Sequence, residues 1–158
     1  MIFITIGNYS PFDRMVRVID KWAALRGRTD IFAQIGSTNW RPEHIKWTDF
    51  LKPEEFDRKM QEANVVIAHA GAGTILKALE LGKPILVMPR RPHLHETPNN
   101  HQLFMAKRFQ DLGRIAMAQD ESDLMAKLDH LEALRGAERI SPVASRSLLE
   151  AIRDFMKQ

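Results

Sequence analysis

Residues 65–81 contain a strand pattern, a glycine-rich turn and a helix pattern in immediate succession. The apolar run Val65–His69 passes directly into the turn Ala70–Thr74, and apolar residues at helical spacing follow. Such a turn brings backbone N–H groups, at the positive end of a helix dipole, close to a bound anion. A Cβ at Gly71 or Gly73 would obstruct that approach. The segment therefore predicts a phosphate site at the carboxyl end of a parallel strand.

Strand and helix patterns alternate along nearly the whole chain. Short apolar runs predict strands at residues 2–6, 30–35, 45–50, 65–69, 85–88 and 115–118. Periodic apolar residues predict helices over 11–26, with Ser10 as the N-cap, and over 53–63, 74–81, 99–112 and 122–134, with a last helix after Pro142. This alternation is typical of a doubly wound α/β domain, in which helices cover both faces of a parallel sheet. We therefore expect residues 1–158 to form a single domain of this class.

The composition excludes several classes of protein. The chain has 158 residues, a net charge of +3 and no cysteine, which excludes disulfides, thiolate metal sites and cysteine nucleophiles. Its N-terminus has the pattern of a first strand and not that of a signal peptide. No apolar run approaches the ~20 residues that a membrane span needs. The charge is too small, and its basic residues too dispersed, to indicate a nucleic-acid partner.

Two of the predicted strands end in residues that could bind a ligand. Gly7 and Asn8 follow the first strand, and His69 ends the fourth, directly before the glycine turn. A glycine after a strand also serves any tight turn, and a lone histidine at a strand end is often a core residue bonded to backbone. The sequence leaves both interpretations of these positions open.

The predicted loop Pro89–Pro98 is the longest irregular segment. It contains Arg90 and Arg91, whose guanidinium groups can bind phosphate or carboxylate with two hydrogen bonds. The alternative is a solvated polar loop. Its two histidines have no evident third ligand, so no metal is expected. The helix start Asn100–Gln102 offers amide and imidazole groups that serve either as caps or as partners for sugar hydroxyls.

Taken together, these segments resemble the C-terminal half of the GT-B glycosyltransferases of glycosyltransferase family 28. The resemblance rests on His69–Thr74, Ala78–Pro84 and Asn100–Gln102, and extends to about Gly113. Residues 4–7 and 11–14 are similar to those of small soluble subunits of split glycosyltransferases, such as the eukaryotic subunit of the dolichol pathway. Residues 88–91, with Glu96, are similar to those of bacterial exopolysaccharide subunits of the PssE type.

The resemblance implies a donor-binding half that holds a UDP-sugar without a cofactor or metal. Its diphosphate would lie against the glycine turn while an acceptor hydroxyl attacks C1 with inversion. The implied donor-binding residues are Gly7, Asn8, His69, Ala70, Gly71, Ala72, Gly73, Thr74, Met88, Arg90, Arg91, Glu96, Asn100, His101 and Gln102. His69 is also the candidate catalytic base, unless a partner supplies one.

The resemblance also implies a partner, because a GT-B enzyme needs two such domains. A membrane-anchored subunit would supply the acceptor half, for transfer to a lipid-linked saccharide in bacterial exopolysaccharide or capsule synthesis. The chain would then lie in the cytoplasm, at the inner membrane. The chain departs from the family pattern in carrying Asn8 in place of threonine and Lys77 in place of a ribose-binding carboxylate. Lys77 and the lack of an obvious catalytic base favour a second hypothesis. In that hypothesis the chain is a non-catalytic module that supports another transferase.

Overall fold

The structure is a computed structural model that describes residues 1–8, 10–140 and 150–154. The described residues contain a parallel sheet of six strands, which are β1 (Ile2–Thr5), β2 (Ile31–Gln34), β3 (Lys46–Thr48), β4 (Val65–His69), β5 (Ile85–Met88) and β6 (Ala116–Met117). The helices between them are α1 (Asp13–Arg26), α2 (Pro53–Glu62), α3 (Ala72–Glu80), α4 (His101–Asp111) and α5 (Glu121–Leu128), with 3₁₀ turns at Pro92–Leu94 and Leu131–Ala133. The predicted fold class is confirmed.

The strand order β3-β2-β1-β4-β5-β6 places β1 and β4 side by side at the centre of the sheet. From β1 the chain winds outward to β2 and β3, and from β4 it winds in the opposite direction to β5 and β6. The loops that leave β1 and β4 therefore diverge, and a crevice opens between them at the carboxyl edge. Ligands of doubly wound sheets bind at such a point of reversal.

The strands are apolar on both faces because each face is covered by helices. Ile2, Ile4 and Ile67 belong to a buried cluster that also contains apolar residues of α1 and α5. Phe3 and Val66 point to the opposite face, where the second cluster includes residues of α2, α3 and α4. The period-two alternation of side chains along a strand thus divides one continuous apolar run between two cores.

The predicted start of the first helix is wrong by two residues. Ser10 was expected to cap it, but α1 begins at Asp13, and Phe12 occupies the N-cap position without a side-chain hydrogen bond. The Ser10 hydroxyl instead donates to the backbone carbonyl of Glu96 and accepts from Arg90. Tertiary contacts therefore draw residues 10–12 out of the helix.

The predicted helix over 122–134 is also shorter in the structure. Helix α5 ends at Leu128, and the carboxylate of the next residue, Asp129, accepts hydrogen bonds from Trp22 and Arg26 of α1. These bonds join α5 to α1 where the periodicity alone would continue the helix. In the last predicted helix, residues 150–154 are helical and Ile152 packs against the second core cluster. The other apolar residues at helical spacing in this segment, Leu148, Leu149, Phe155 and Met156, lie outside the described residues.

Candidate functional site

His69 lies in the crevice between the loops that follow β1 and β4. Its ring fills the space beside two glycines, one from each loop. A Cβ added to Gly71 would lie 2.1 Å from Nε2 of His69, and one added to Gly7 would lie 2.8 Å from Cε1 and Nε2. Gly7 also has a φ of 78°, which disfavours any side chain there. Glycine is therefore favoured at both positions because any larger side chain would collide with the imidazole of His69, a contact within the protein.

The environment of His69 keeps its ring neutral. Nδ1 is buried without a hydrogen-bond partner among the described residues. Burial first, and then the positive charge of Arg90, lower the pKa of His69 to about 4. At neutral pH the imidazole is therefore uncharged, and its low basicity makes it a weak general base.

The N-terminus of α3 presents backbone donors next to this histidine. Gly71 occupies the N-cap position in an extended conformation, and no side chain caps the helix. The first turn of a helix leaves its backbone N–H groups without intrahelical acceptors. Gly73 is exposed, and a Cβ added there would meet no atom within 4 Å. This helix end is therefore open to an anion, and the reason for glycine differs between positions 71 and 73.

Two cavities flank the turn between β4 and α3. The first, of about 260 Å³, is lined by the turn residues 70–72, by His101 and Gln102 of α4 and by apolar residues that include Met105 and Phe109. The second, of about 270 Å³, is lined by residues that include Gly7, Asn8 and Thr74. The expected donor-binding residues of the two loops and of the first turn of α4 therefore come together around the start of α3.

Gln34 is a polar residue of this region that sequence reasoning missed. It ends β2, is buried, and lines the second cavity. Its Nε2 donates to Oδ1 of Asn8 over 3.0 Å, while its own Oε1 has no hydrogen-bond partner in the described chain. A polar residue at the end of the apolar run 31–35 was the available signal.

The segment after β5 differs most from the sequence expectation. Met88 is fully buried in the core and has no exposed surface with which to contact a ligand. Arg90 is 3% exposed and donates to backbone carbonyls, which leaves it little surface for a diphosphate. Both carboxylate oxygens of Glu96 accept hydrogen bonds from Arg14, at 2.7 and 3.0 Å. The side chains of Arg90 and Glu96 thus hold loops together.

The remaining expected residues, Arg91 and Asn100, line neither of the two cavities beside the turn. The guanidinium of Arg91 donates to the carbonyl oxygen of Gln119. Asn100 is exposed at the N-cap position of α4, but the cap bond is made by Asn99, whose Oδ1 accepts from the N–H of His101. Lys77, which departs from the family pattern, forms an ion pair with Asp57 of α2 over 3.0 Å.

The described residues contain no group of three or more His, Asp or Glu side chains placed to hold a metal ion. Nor does that part of the chain contain a helix of the length and apolarity that a membrane span requires.

The six-stranded parallel sheet, with its crevice at the sheet reversal, is an α/β domain of the GT-B type. The profile of the glycosyltransferase family 28 C-terminal domain matches residues 1–158, and the chain belongs to this family. The predicted resemblance to the family is thereby confirmed.

Curated relatives carry the names of transferase subunits. The chain is 31% identical over 124 residues to the human UDP-N-acetylglucosamine transferase subunit ALG13. The aligned region covers 72% of this chain and 10% of the human protein. It is 36% identical over 80 residues to ALG13 of Saccharomyces cerevisiae. This aligned region covers 47% of this chain and 38% of the yeast protein. The chain thus corresponds to only a part of these relatives.

Solved structures share the fold. An NMR solution structure of ALG13 superposes with a TM-score of 0.63 at 20% identity, and the match covers 96% of this chain and 93% of that one. MurG of Acinetobacter baumannii superposes with a TM-score of 0.60 at 17% identity, over 82% of this chain and 40% of MurG. At such identities the likeness concerns the fold alone.

Proposed function

We propose that this chain binds the donor of a glycosyl transfer, a UDP-sugar, with the diphosphate at the N-terminus of α3. The observation that carries the proposal is the uncapped helix start beside the sheet reversal, where Gly73 leaves open space in front of the first-turn N–H groups. Backbone donors and the helix dipole stabilise a diphosphate both in the bound donor and as UDP departs. The names of the relatives favour N-acetylglucosamine as the sugar.

The hexose and the nucleoside would occupy the space around the helix start. His101 and Gln102 line one side of it and carry groups that hydrogen-bond sugar hydroxyls. The Oδ1 of Asn8 accepts from Gln34, and its amide nitrogen, which has no hydrogen-bond partner among the described residues, would donate to an oxygen of the ligand. Arg91 and Asn100, which line neither cavity, are the remaining polar candidates for donor contact.

Transfer itself would need a second subunit. A membrane-anchored partner would supply the acceptor half and a lipid-linked saccharide, and the chain would then work at the cytoplasmic face of that membrane. The low basicity of His69 favours a catalytic base on the partner. A role in bacterial exopolysaccharide or capsule synthesis stays a prediction from the sequence resemblance, because the names of the relatives do not carry it.

The second candidate, a non-catalytic module that supports a partner transferase, is favoured by one observation. Lys77, at the position of the family's ribose-binding carboxylate, is held in an ion pair with Asp57 and offers no acceptor for ribose hydroxyls. Such a module would not need to bind UDP, so a binding measurement on the chain separates the two candidates.

A pair of variants at position 73 that are matched in size and differ in charge tests the donor site. We expect Gly73→Asp to weaken UDP binding about tenfold or more relative to Gly73→Asn, because the two side chains differ in charge and hardly in size. The aspartate should at the same time raise the free energy of unfolding by about 0.5 kcal/mol, since a negative charge stabilises a helix N-terminus. Isothermal titration calorimetry with UDP and urea unfolding give the two quantities.

Uridine without phosphate is the ligand control for this pair of variants. Any uridine affinity should be the same in Gly73→Asp and Gly73→Asn. Absence of binding of wild-type protein at millimolar UDP would count against the donor role and favour the supporting module. Equal UDP affinity of the two variants would place the diphosphate elsewhere.

A further inference from the structure

Arg90 is a buried cation that the proposed donor chemistry does not use. It lies two residues after β5, and only 3% of its surface is exposed. Arginine stays protonated in proteins, so this charge must be stabilised within the fold. The described structure places no carboxylate in hydrogen-bonding distance of it, and the question is what the guanidinium binds instead.

The guanidinium binds the loop that follows β1. Its Nη2 donates to the carbonyl oxygens of Ile6 and Ser10, each over 2.7 Å. Its Nη1 donates to the carbonyl of Pro11 over 2.9 Å and to Oγ of Ser10 over 3.4 Å. The same group lies 4.8 Å from the centre of the Phe12 ring. The planar guanidinium group of arginine has several N–H donors in a fixed arrangement, which suits such a set of carbonyl oxygens. The compact ammonium group of lysine cannot reach them all.

The backbone of Arg90 extends this connection to α4. Its N–H donates to Oε1 of Gln102, in the first turn of that helix, over 3.1 Å. A second link runs parallel to the first, because Arg14 of α1 forms an ion pair with Glu96. Arg90 thus joins the β1 loop, which forms one side of the crevice that contains His69, to the segment that leads into α4.

We propose that Arg90 is a positioning residue, which fixes Gly7 and Asn8 at the donor crevice by holding the carbonyls of Ile6, Ser10 and Pro11, and which does not contact the diphosphate. The function of the crevice rests on the donor role proposed above, but the hold on the loop does not. The sequence expectation that Arg90 grips the donor directly is replaced by this role.

Two variants separate the geometry of the guanidinium from its charge. Arg90→Lys keeps the positive charge but loses the planar set of guanidinium donors, and Arg90→Gln loses both. We expect both to shift the amide NMR signals of Gly7 and Asn8 and to raise the Kd of UDP about tenfold, because small misplacements of binding groups are costly. The His69 ring should titrate at a higher pH in Arg90→Gln than in Arg90→Lys, since only the former lacks the nearby positive charge.

The matched control is Leu128→Ala, which removes buried volume from α5 without touching the crevice. It destabilises the protein through a cavity, yet should leave the Gly7 and Asn8 signals and the UDP affinity unchanged. If it reproduces the effects of the Arg90 variants, those effects reflect general destabilisation and the proposal fails. Wild-type affinity and wild-type loop signals in both Arg90 variants would also overturn it.

The wild-type protein provides a further test, which does not require any variant to fold. Slow exchange of the Arg90 Nη protons, and its persistence when UDP is added, are expected for a guanidinium held by carbonyls. A change of these signals on UDP binding, of the size seen at the Gly73 amide, would mean direct contact and overturn the proposal. If UDP does not bind at all, the donor role fails, while the loop signals of the variants still decide whether Arg90 holds Gly7 and Asn8.

Discussion

Replacing Gly71 with alanine should lower the free energy of unfolding by about 3 kcal/mol, the upper part of the usual range for overpacking. The new Cβ would lie 2.1 Å from Nε2 of His69, and the ring is held from the other side by Gly7. The backbone itself tolerates alanine, because φ at Gly71 is −81°. The loss is therefore steric and confined to one contact. Urea unfolding monitored by tryptophan fluorescence measures it.

The double variant His69→Ala/Gly71→Ala is the control for this prediction. Removing the imidazole frees the space that the new Cβ needs, so Gly71→Ala should cost less than about 1 kcal/mol in the His69→Ala background. An equal cost in both backgrounds would show that the glycine is needed for another reason, such as the helix start. Gly73→Ala, which meets no neighbouring atom, should leave stability unchanged or slightly higher.

The stability of the protein should fall by up to about 3 kcal/mol between pH 6.5 and pH 4 because of His69. In the unfolded chain this histidine takes up a proton near its ordinary pKa of 6.5, whereas in the folded chain its pKa is about 4. Over this interval the unfolded state binds the additional proton, so acidification favours unfolding by about 1.4 kcal/mol per pH unit. Above pH 6.5 His69 is neutral in both the folded and the unfolded chain, so it no longer makes the stability depend on pH.

The variant His69→Gln isolates this contribution because glutamine does not titrate. Carboxyl groups with a lowered pKa, such as Asp30 and Asp123, are present in both proteins and cancel in the comparison. Urea unfolding at intervals from pH 4 to 7 should show the wild type losing stability relative to the variant as the pH falls. Parallel curves for the two proteins would mean that His69 is not held neutral by the fold.

The contact between His69 and Gly71 changes the interpretation of the glycine turn. In the sequence, Gly71 and Gly73 were expected to clear the way for a phosphate. In the structure Gly73 alone faces open space, and Gly71 with Gly7 makes room for the ring of His69. A bulky replacement at Gly71 would therefore disturb the fold before it reported on a ligand, which is why Gly73 is the position for testing the donor.

The sequence by itself determined the fold class, the family and the location of the glycine turn. Apolar runs and helical periodicity depend on local spacing, which predicted each of the six strands that the described residues contain. The segments His69–Thr74, Ala78–Pro84 and Asn100–Gln102 were enough to indicate the family that the whole chain matches.

Only the tertiary structure decided what the polar side chains bind. Arg90, Glu96 and Gln34 find their partners in segments that are far from them in sequence, at Ile6, Arg14 and Asn8 respectively. Hydrogen bonds and charge pairs of this kind leave no periodic trace, so an arginine that holds a loop looks the same in sequence as one that grips a diphosphate. Long-range contacts also moved the start of α1 and ended α5, because they outweigh the weak local preferences at helix ends.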